Sequence, residues 1–205
     1  MYIPDLYKNE NREAIVDFLQ KNSFGILVNL TDGKLWATHI PMVLVLNDAG
    51  EEVLQGHISK ENPQWKSFEN DNKILAIFSG PHAYISSSWY DHENVPTWNY
   101  SAVHIYGTVK ILEESAAVQS LKTLVDKYEA ASENPIRIEE LSKKTMLQVR
   151  GIVAFEIAID QIQAVHKMSQ NRDEKNFSNI ITELEKTGKV AEAEVAKIMR
   201  CPLGH

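Results

Sequence analysis

Apolar and polar positions along this chain change period several times, and each change marks an element. Residues 11–21 place Ala14, Ile15, Phe18 and Leu19 on one helical stripe, with Asn9 or Asn11 available as a cap. Residues 24–30 read as a strand, and Thr31-Asp32-Gly33 reads as a hairpin turn. Residues 35–46 are extended again. Pro41 lacks an N–H there, which predicts a sheet edge or a bulge. A turn at 47–50 leads into a strand at 53–58.

The stretch 54–80 organises the rest: strand, polar turn, short helix, second strand. Asn62-Pro63 has the form of a helix start, with Asn as N-cap and Pro at the first helical position. Trp65 and Phe68 share one face of that helix, Asp71-Asn72 closes it, and Ile74, Ile77 and Phe78 belong to the strand that follows. A short strand at 82–86 and a polar loop at 87–95 precede a long strand at 96–112. In that strand Val103, Ile105, Gly107 and Val109 alternate with His104, Tyr106 and Thr108. Gly107 implies close backbone approach or a bend. Helices are expected at 115–129, capped by Ser115, and at 138–149, with a last strand at 151–159. After a polar joint at 169–173 come helices at 177–186, stopped by Gly188, and at 190–199. The order predicts a mainly β fold with flanking helices, a small barrel of antiparallel strands.

Composition narrows the functions. With 28 acidic and 21 basic residues the net charge is -7, against a broad nucleic-acid footprint. No apolar run is long enough to span a bilayer, and residues 1–5 carry no basic signal region. The expectation is therefore a cytoplasmic protein with no membrane association. The single cysteine, Cys201, excludes an internal disulfide framework. No GxGxxG, GxxxxGK[ST] or GxSxG is present, so no Rossmann, P-loop or nucleophile-elbow site is indicated.

Candidate chemistry lies first in the turn before Asn62. His57, Ser59 and Lys60 precede a helix start, where a hydroxyl, an ammonium and backbone donors would cradle a phosphate; the alternative is a solvated lysine in a capped loop. The set Trp89, Tyr90, Thr97, Trp98, Asn99 and Tyr100 would form a slot for a flat ring, or a packed hairpin or protein interface. His39 and His57, on neighbouring strands, would bond a phosphate, a ring edge, or each other. His82 and His92 with Asp91 and Glu93, and Cys201 with His205, match no standard metal-ligand spacing, so no metal is expected. Arg137, Lys143, Lys144 and Arg150 form a modest basic face, read as paired with Glu139 and Glu140.

The segments MYIPDLY, ATHIP (37–41), LQGHISKENPQW (54–65), FSGPHAYISSSWY (78–90), VPTWNY (95–100), VHIYG (103–107) and SQNR (169–172) occur in the order and spacing of the PaiB family. That family is described as FMN-binding negative transcriptional regulators, and the resemblance covers nearly the whole chain. Ser87 stands where the family normally has Pro. The resemblance implies an FMN-binding split β-barrel like that of pyridoxamine-phosphate oxidase, over residues 1–168, with a C-terminal helical appendage over 169–205. It implies a homodimer with FMN at the interface. Thr38, His39, Ser59 and Lys60 would hold the phosphate, with His57 beside them. Trp98, Asn99 and Tyr100 would flank the isoalloxazine or its polar edge, and Gln170 and Arg172 would close the site, from the same or the partner subunit. As a repressor it would act on DNA at sporulation and degradative-enzyme genes, although no basic recognition helix is visible. The alternatives are an FMN-dependent oxidoreductase using NAD(P)H, with His57, His104 and Tyr100 as first candidates for catalysis, or a haem-handling barrel.

Overall fold

A computed structural model of the chain describes residues 1–70 and 72–201. Helix α1 (Arg12–Lys21) precedes strands β1 (Phe24–Thr31), β2 (Lys34–Leu46), β3 (Glu52–Ser59), β4 (Lys73–Ile85) and β5 (Thr97–Ile111). Helices α2 (Glu114–Glu129) and α3 (Lys143–Met146) follow, then β6 (Ile152–Lys167), α4 (Glu174–Lys186) and α5 (Val190–Arg200). The strands close into a barrel in the order β1-β2-β3-β6-β5-β4. β1 runs antiparallel to β2 and β4, and β3 antiparallel to β2 and β6.

Local chemistry explains much of this. Thr31 faces Lys34 across the first hairpin, so Asp32 and Gly33 form the turn, with φ of 52° and 73°. Positive φ at both positions is the primed turn whose twist matches paired strands. Pro41 is the last β2 residue paired with β1, and Met42 is the first paired with β3. The residue without an N–H therefore sits where the strand changes partner. At Gly107 a Cβ would lie 2.4 Å from the Ala158 carbonyl oxygen, the close approach that its place in the strand implies.

The chain divides into two compact units. One comprises Leu19–Phe78 and His104–Ile162. Its core holds Leu27, Leu54, Ile58, Phe78, Ile105, Phe155 and Ile157, all at most 2% exposed. Burying each such side chain contributes about 1.5–3 kcal/mol. Phe68 packs edge-on against Phe155, with centroids 5.6 Å apart. The other unit comprises Met1–Phe18, Ser79–Val103 and Gln163–His205. There Ile180, Leu184, Val195 and Met199 of α4 and α5 pack with Ile85, Tyr90 and Met168. Asp173 caps α4 by accepting from the Asn176 N–H, and Gly188 (φ 69°) ends the connection from it.

Several elements depart from the sequence reading. The helix after Asn62 is a five-residue 3-10 turn, Pro63–Ser67, and its buried residue is Gln64. Asp71, expected to close it, lies outside the described residues. The strands expected at 74–78 and 82–86 are one strand, β4. Gly80-Pro81 does not break it, because proline's fixed φ is close to extended backbone. Ser115 lies inside α2, and Glu113 holds the N-cap position without a side-chain bond. The helix expected at 138–149 is instead a 3-10 turn at Ile138–Glu140, the short α3, and a 3-10 turn at Leu147–Gly151. Leu141 is extended and Ser142 caps a fresh start by accepting from the Thr145 N–H, which interrupts the ladder. β6 continues to Lys167, well past the stretch with clear alternation.

Candidate functional site

The lysine-bearing turn follows β3, where Gln55, His57 and Ser59 point outward while Leu54, Gly56 and Ile58 point into the barrel. Its backbone donors are already paired. Lys60 N–H donates to the Gly151 carbonyl at 2.8 Å, Asn62 N–H to the Ser59 carbonyl at 3.0 Å, and Glu61 N–H to Ser59 Oγ at 3.3 Å. Gln64 N–H donates to Asn62 Oδ1 at 3.1 Å, and Trp65 Nε1 closes the turn on the Lys60 carbonyl at 2.9 Å. The donors this corner presents to a ligand are therefore side chains, the Ser59 hydroxyl and the Lys60 ammonium, both on exposed residues. Lys60 Nζ reaches the Arg150 carbonyl at 3.5 Å.

Beneath the turn lies a polar network that sequence reasoning missed. Gln64 is fully buried, and its Nε2 donates to the Leu27 carbonyl at 3.1 Å and to Asn29 Oδ1 at 2.8 Å. Thr38 Oγ1 donates to Gln64 Oε1 at 2.6 Å and accepts from Asn62 Nδ2 at 2.9 Å. Thr38 is thereby joined to the turn, with its proton committed inward. A glutamine between Pro63 and Trp65 looks like surface in sequence, because its burial comes from strands far away in the chain.

Beside Lys60 is a cavity of about 750 Å³, within the range of ligand sites. Ile111, Val118, Met146 and Ile152 give it an apolar lining. Lys60, Lys143 and Arg150 line it against two carboxylates, Glu69 and Glu114. Glu139, expected to pair along its own helix, instead binds Lys122 of α2 at 2.6 Å. His57 is half-buried, and that burial holds its pKa below the ordinary histidine value. His39 is exposed and stacks on Phe24, with centroids 6.3 Å apart.

In the other unit, Trp98 is 53% exposed and stands between two rings, Tyr84 at 5.8 Å and His82 at 6.1 Å. Asn99, its neighbour, points the other way and is fully buried. Its Oδ1 accepts from Ser169 Oγ at 2.9 Å and its Nδ2 meets the Met199 sulfur at 3.5 Å. Tyr100 is half-buried. Gln170 is spent on its own turn: Oε1 accepts from the Met168 N–H at 2.7 Å and Nε2 donates to the His166 carbonyl at 2.7 Å. Arg172 lies 4.8 Å over the Tyr90 ring. In the barrel unit, His104, a catalytic candidate, has a buried Nδ1 without a partner, and burial lowers its pKa.

Among the described residues no group of three or more His, Cys, Asp or Glu could hold a metal. Asp91 serves another purpose. Lys175 at 2.8 Å, His92 at 2.9 Å and Asn176 at 2.9 Å all bind its carboxylate and hold its pKa far down, tying the polar loop to α4. His205 lies outside the described residues.

Residues 1–161 match the family described as "Putative FMN-binding domain". The chain is 43% identical over 200 residues to "Protease synthase and sporulation protein PAI 2" of Bacillus subtilis (strain 168), covering 97% of this chain and 96% of that one. Among solved structures it resembles the FAD and heme binding protein from Mycobacterium smegmatis, with TM-score 0.63 and 19% identity over 84% of this chain and 78% of that one. It also resembles the flavocytochrome Anf3 from Azotobacter vinelandii, with TM-score 0.63 and 15% identity over 84% of this chain and 75% of that one. At such identities the likeness is one of fold, and the fold is the split barrel with flanking helices. No helix among the described residues is long and apolar enough to cross a membrane.

Proposed function

The chain belongs to the PaiB family, whose domain is an FMN-binding domain, and on that premise we propose that it is an FMN-binding negative regulator of transcription working as a homodimer. The observation that carries the flavin reading is the cavity beside Lys60, with its apolar wall and cationic rim. FMN has the matching chemistry: a flat, largely apolar ring at one end and a phosphate at the other. Lys60 and the Ser59 hydroxyl take the phosphate, while Thr38 holds the turn in shape through Asn62 and Gln64. His57 and His39 stand on the strands that flank this corner. For Trp98 and Tyr100, which belong to the other unit, the support for a place beside the isoalloxazine is the family resemblance alone. Buried Asn99 fixes the turn that carries Gln170 and Arg172. Bound FMN supplies hydride and one-electron chemistry, and the protein binds and orients it.

The dimer reading rests on one sheet face. On β1 and β2, Phe24, Ile26, Val28, Leu30, Leu35 and Ala37 point away from the barrel interior. A strand with one solvated face normally alternates apolar with polar. Here the outward face is apolar apart from His39, and Phe24 and Leu35 are 64% and 79% exposed. Such a patch marks an interface.

The regulatory reading comes from the relative named for protease synthesis and sporulation. An FMN-dependent oxidoreductase is the second reading, favoured by a cavity open to a small molecule. The purified protein is expected to be yellow, and Lys60→Ala to lose the colour. A colourless protein that takes up no added FMN refutes both readings. Promoter DNA retarded in a gel at moderate salt, without NAD(P)H oxidation, supports the regulator. Steady NAD(P)H oxidation without retardation supports the enzyme.

A further inference from the structure

We infer that Lys167 and Arg172 form a binding site for an anionic group, a carboxylate or a phosphate, separate from the Lys60 corner. Both cations flank the tight turn after β6. Ser169 there has φ 59°, and the Arg172 N–H donates to the Ser169 carbonyl at 3.0 Å. Lys167 Nζ donates to Thr97 Oγ1 and lies 5.7 Å over the Tyr7 ring. Arg172 lies over the Tyr90 ring.

Among the described residues neither cation forms an ion pair with an Asp or Glu. Lys73, by contrast, pairs with Asp160 at 2.8 Å, and Arg200 with Glu185 at 2.8 Å. Two donors are also left over. Arg172 Nε and the Tyr90 hydroxyl are buried without a partner, and Tyr90 is only 8% exposed. A ring face satisfies the plane of a guanidinium but not its in-plane N–H. Buried polar groups are almost always paired, so two orphaned groups in contacting side chains point to a missing acceptor. The charges agree. Burial, and then the charge of Arg172, hold Lys167 below the ordinary lysine range. An anion between them removes the repulsion and supplies the acceptor at once.

This inference rests on the flavin reading only for the identity of the molecule that brings the anion, a second ligand besides the flavin. The site itself is tested without that premise. Protein saturated with FMN, or as purified if it takes none, is titrated calorimetrically with inorganic phosphate and separately with acetate in a buffer free of both. Saturable binding of one or both is expected, and the stronger arm names the chemistry. Lys167→Met and Arg172→Gln should each weaken it at least tenfold, while Arg172→Lys retains most of it. No saturable binding in either arm overturns the site, as does binding unchanged in both variants. Flavin uptake by the same variants keeps the two readings apart. Lys60→Ala should lose FMN yet keep the phosphate isotherm. If Lys167→Met and Arg172→Gln lose FMN in step with phosphate, these cations belong to the flavin's own anchor and a separate site is refuted.

Discussion

The Thr38 hydroxyl donates to Gln64 Oε1 across 2.6 Å, and this bond joins β2 to the turn that carries Lys60. Gln64→Leu would remove it and take the Gln64 amide away from the Thr38 hydroxyl proton, Asn29 Oδ1 and the Leu27 carbonyl. Each unsatisfied buried group costs about 1–3 kcal/mol, so a loss of about 2–4 kcal/mol is expected after partial relaxation. Urea denaturation should show a lower midpoint at unchanged slope. An unchanged midpoint means the network does not hold the turn.

The apolar face of β1 and β2 gives a test of assembly. Leu35→Lys places a charge on a side chain that is 79% exposed. In a monomer such a change stays within about 0.5 kcal/mol. In a dimer built on this face it drives dissociation, which sedimentation equilibrium reads directly. Equal masses for the parent and the variant would remove this face from consideration as the interface.

Gly107→Ala should destabilise the barrel. The new Cβ would sit 2.4 Å from the Ala158 carbonyl oxygen and 2.5 Å from the Ile157 side chain. Backbone cannot retreat as a flexible side chain can, and overpacking of this kind costs about 1–3 kcal/mol. Thermal melting checks it.

The histidines set an acid limit. Burial lowers the pKa of His57 and of His166 below the unperturbed value of about 6.5. Between the lowered value and the unperturbed one, the unfolded chain binds more protons than the folded chain, so stability rises with pH across that window. The contribution is complete above about 6.5 and is lost as pH falls through the folded pKa. The melting temperature should therefore drop on acidification from neutral pH. His166→Gln keeps an amide facing Ser101, whose Oγ lies 2.9 Å from the His166 ring, and should flatten the slope. An identical acid slope in the variant would clear His166 of the effect.

Elements with a local cause were legible before any fold was known. Asp32-Gly33 makes its turn because both residues tolerate positive φ, Asn62-Pro63 starts its helical turn by capping, and Gly188 ends one helix because it accepts φ 69°. The alternation in β5 put Val103, Ile105, Gly107 and Val109 on one face, and that face is the buried one. Motif order along the chain was enough to identify the family. The place of Ser59 and Lys60 in an exposed turn before the cap was legible too. Tertiary structure decided the rest. The Gly151 carbonyl takes the Lys60 N–H, which leaves side chains rather than backbone as the free donors of that corner. Strands β1 and β2 bury Gln64, and Arg150 meets Lys60 from 90 residues away. Backbone preference acts over a few residues and can be read there. Burial and charge pairing depend on which distant surfaces meet, and no local stretch of the chain contains that information.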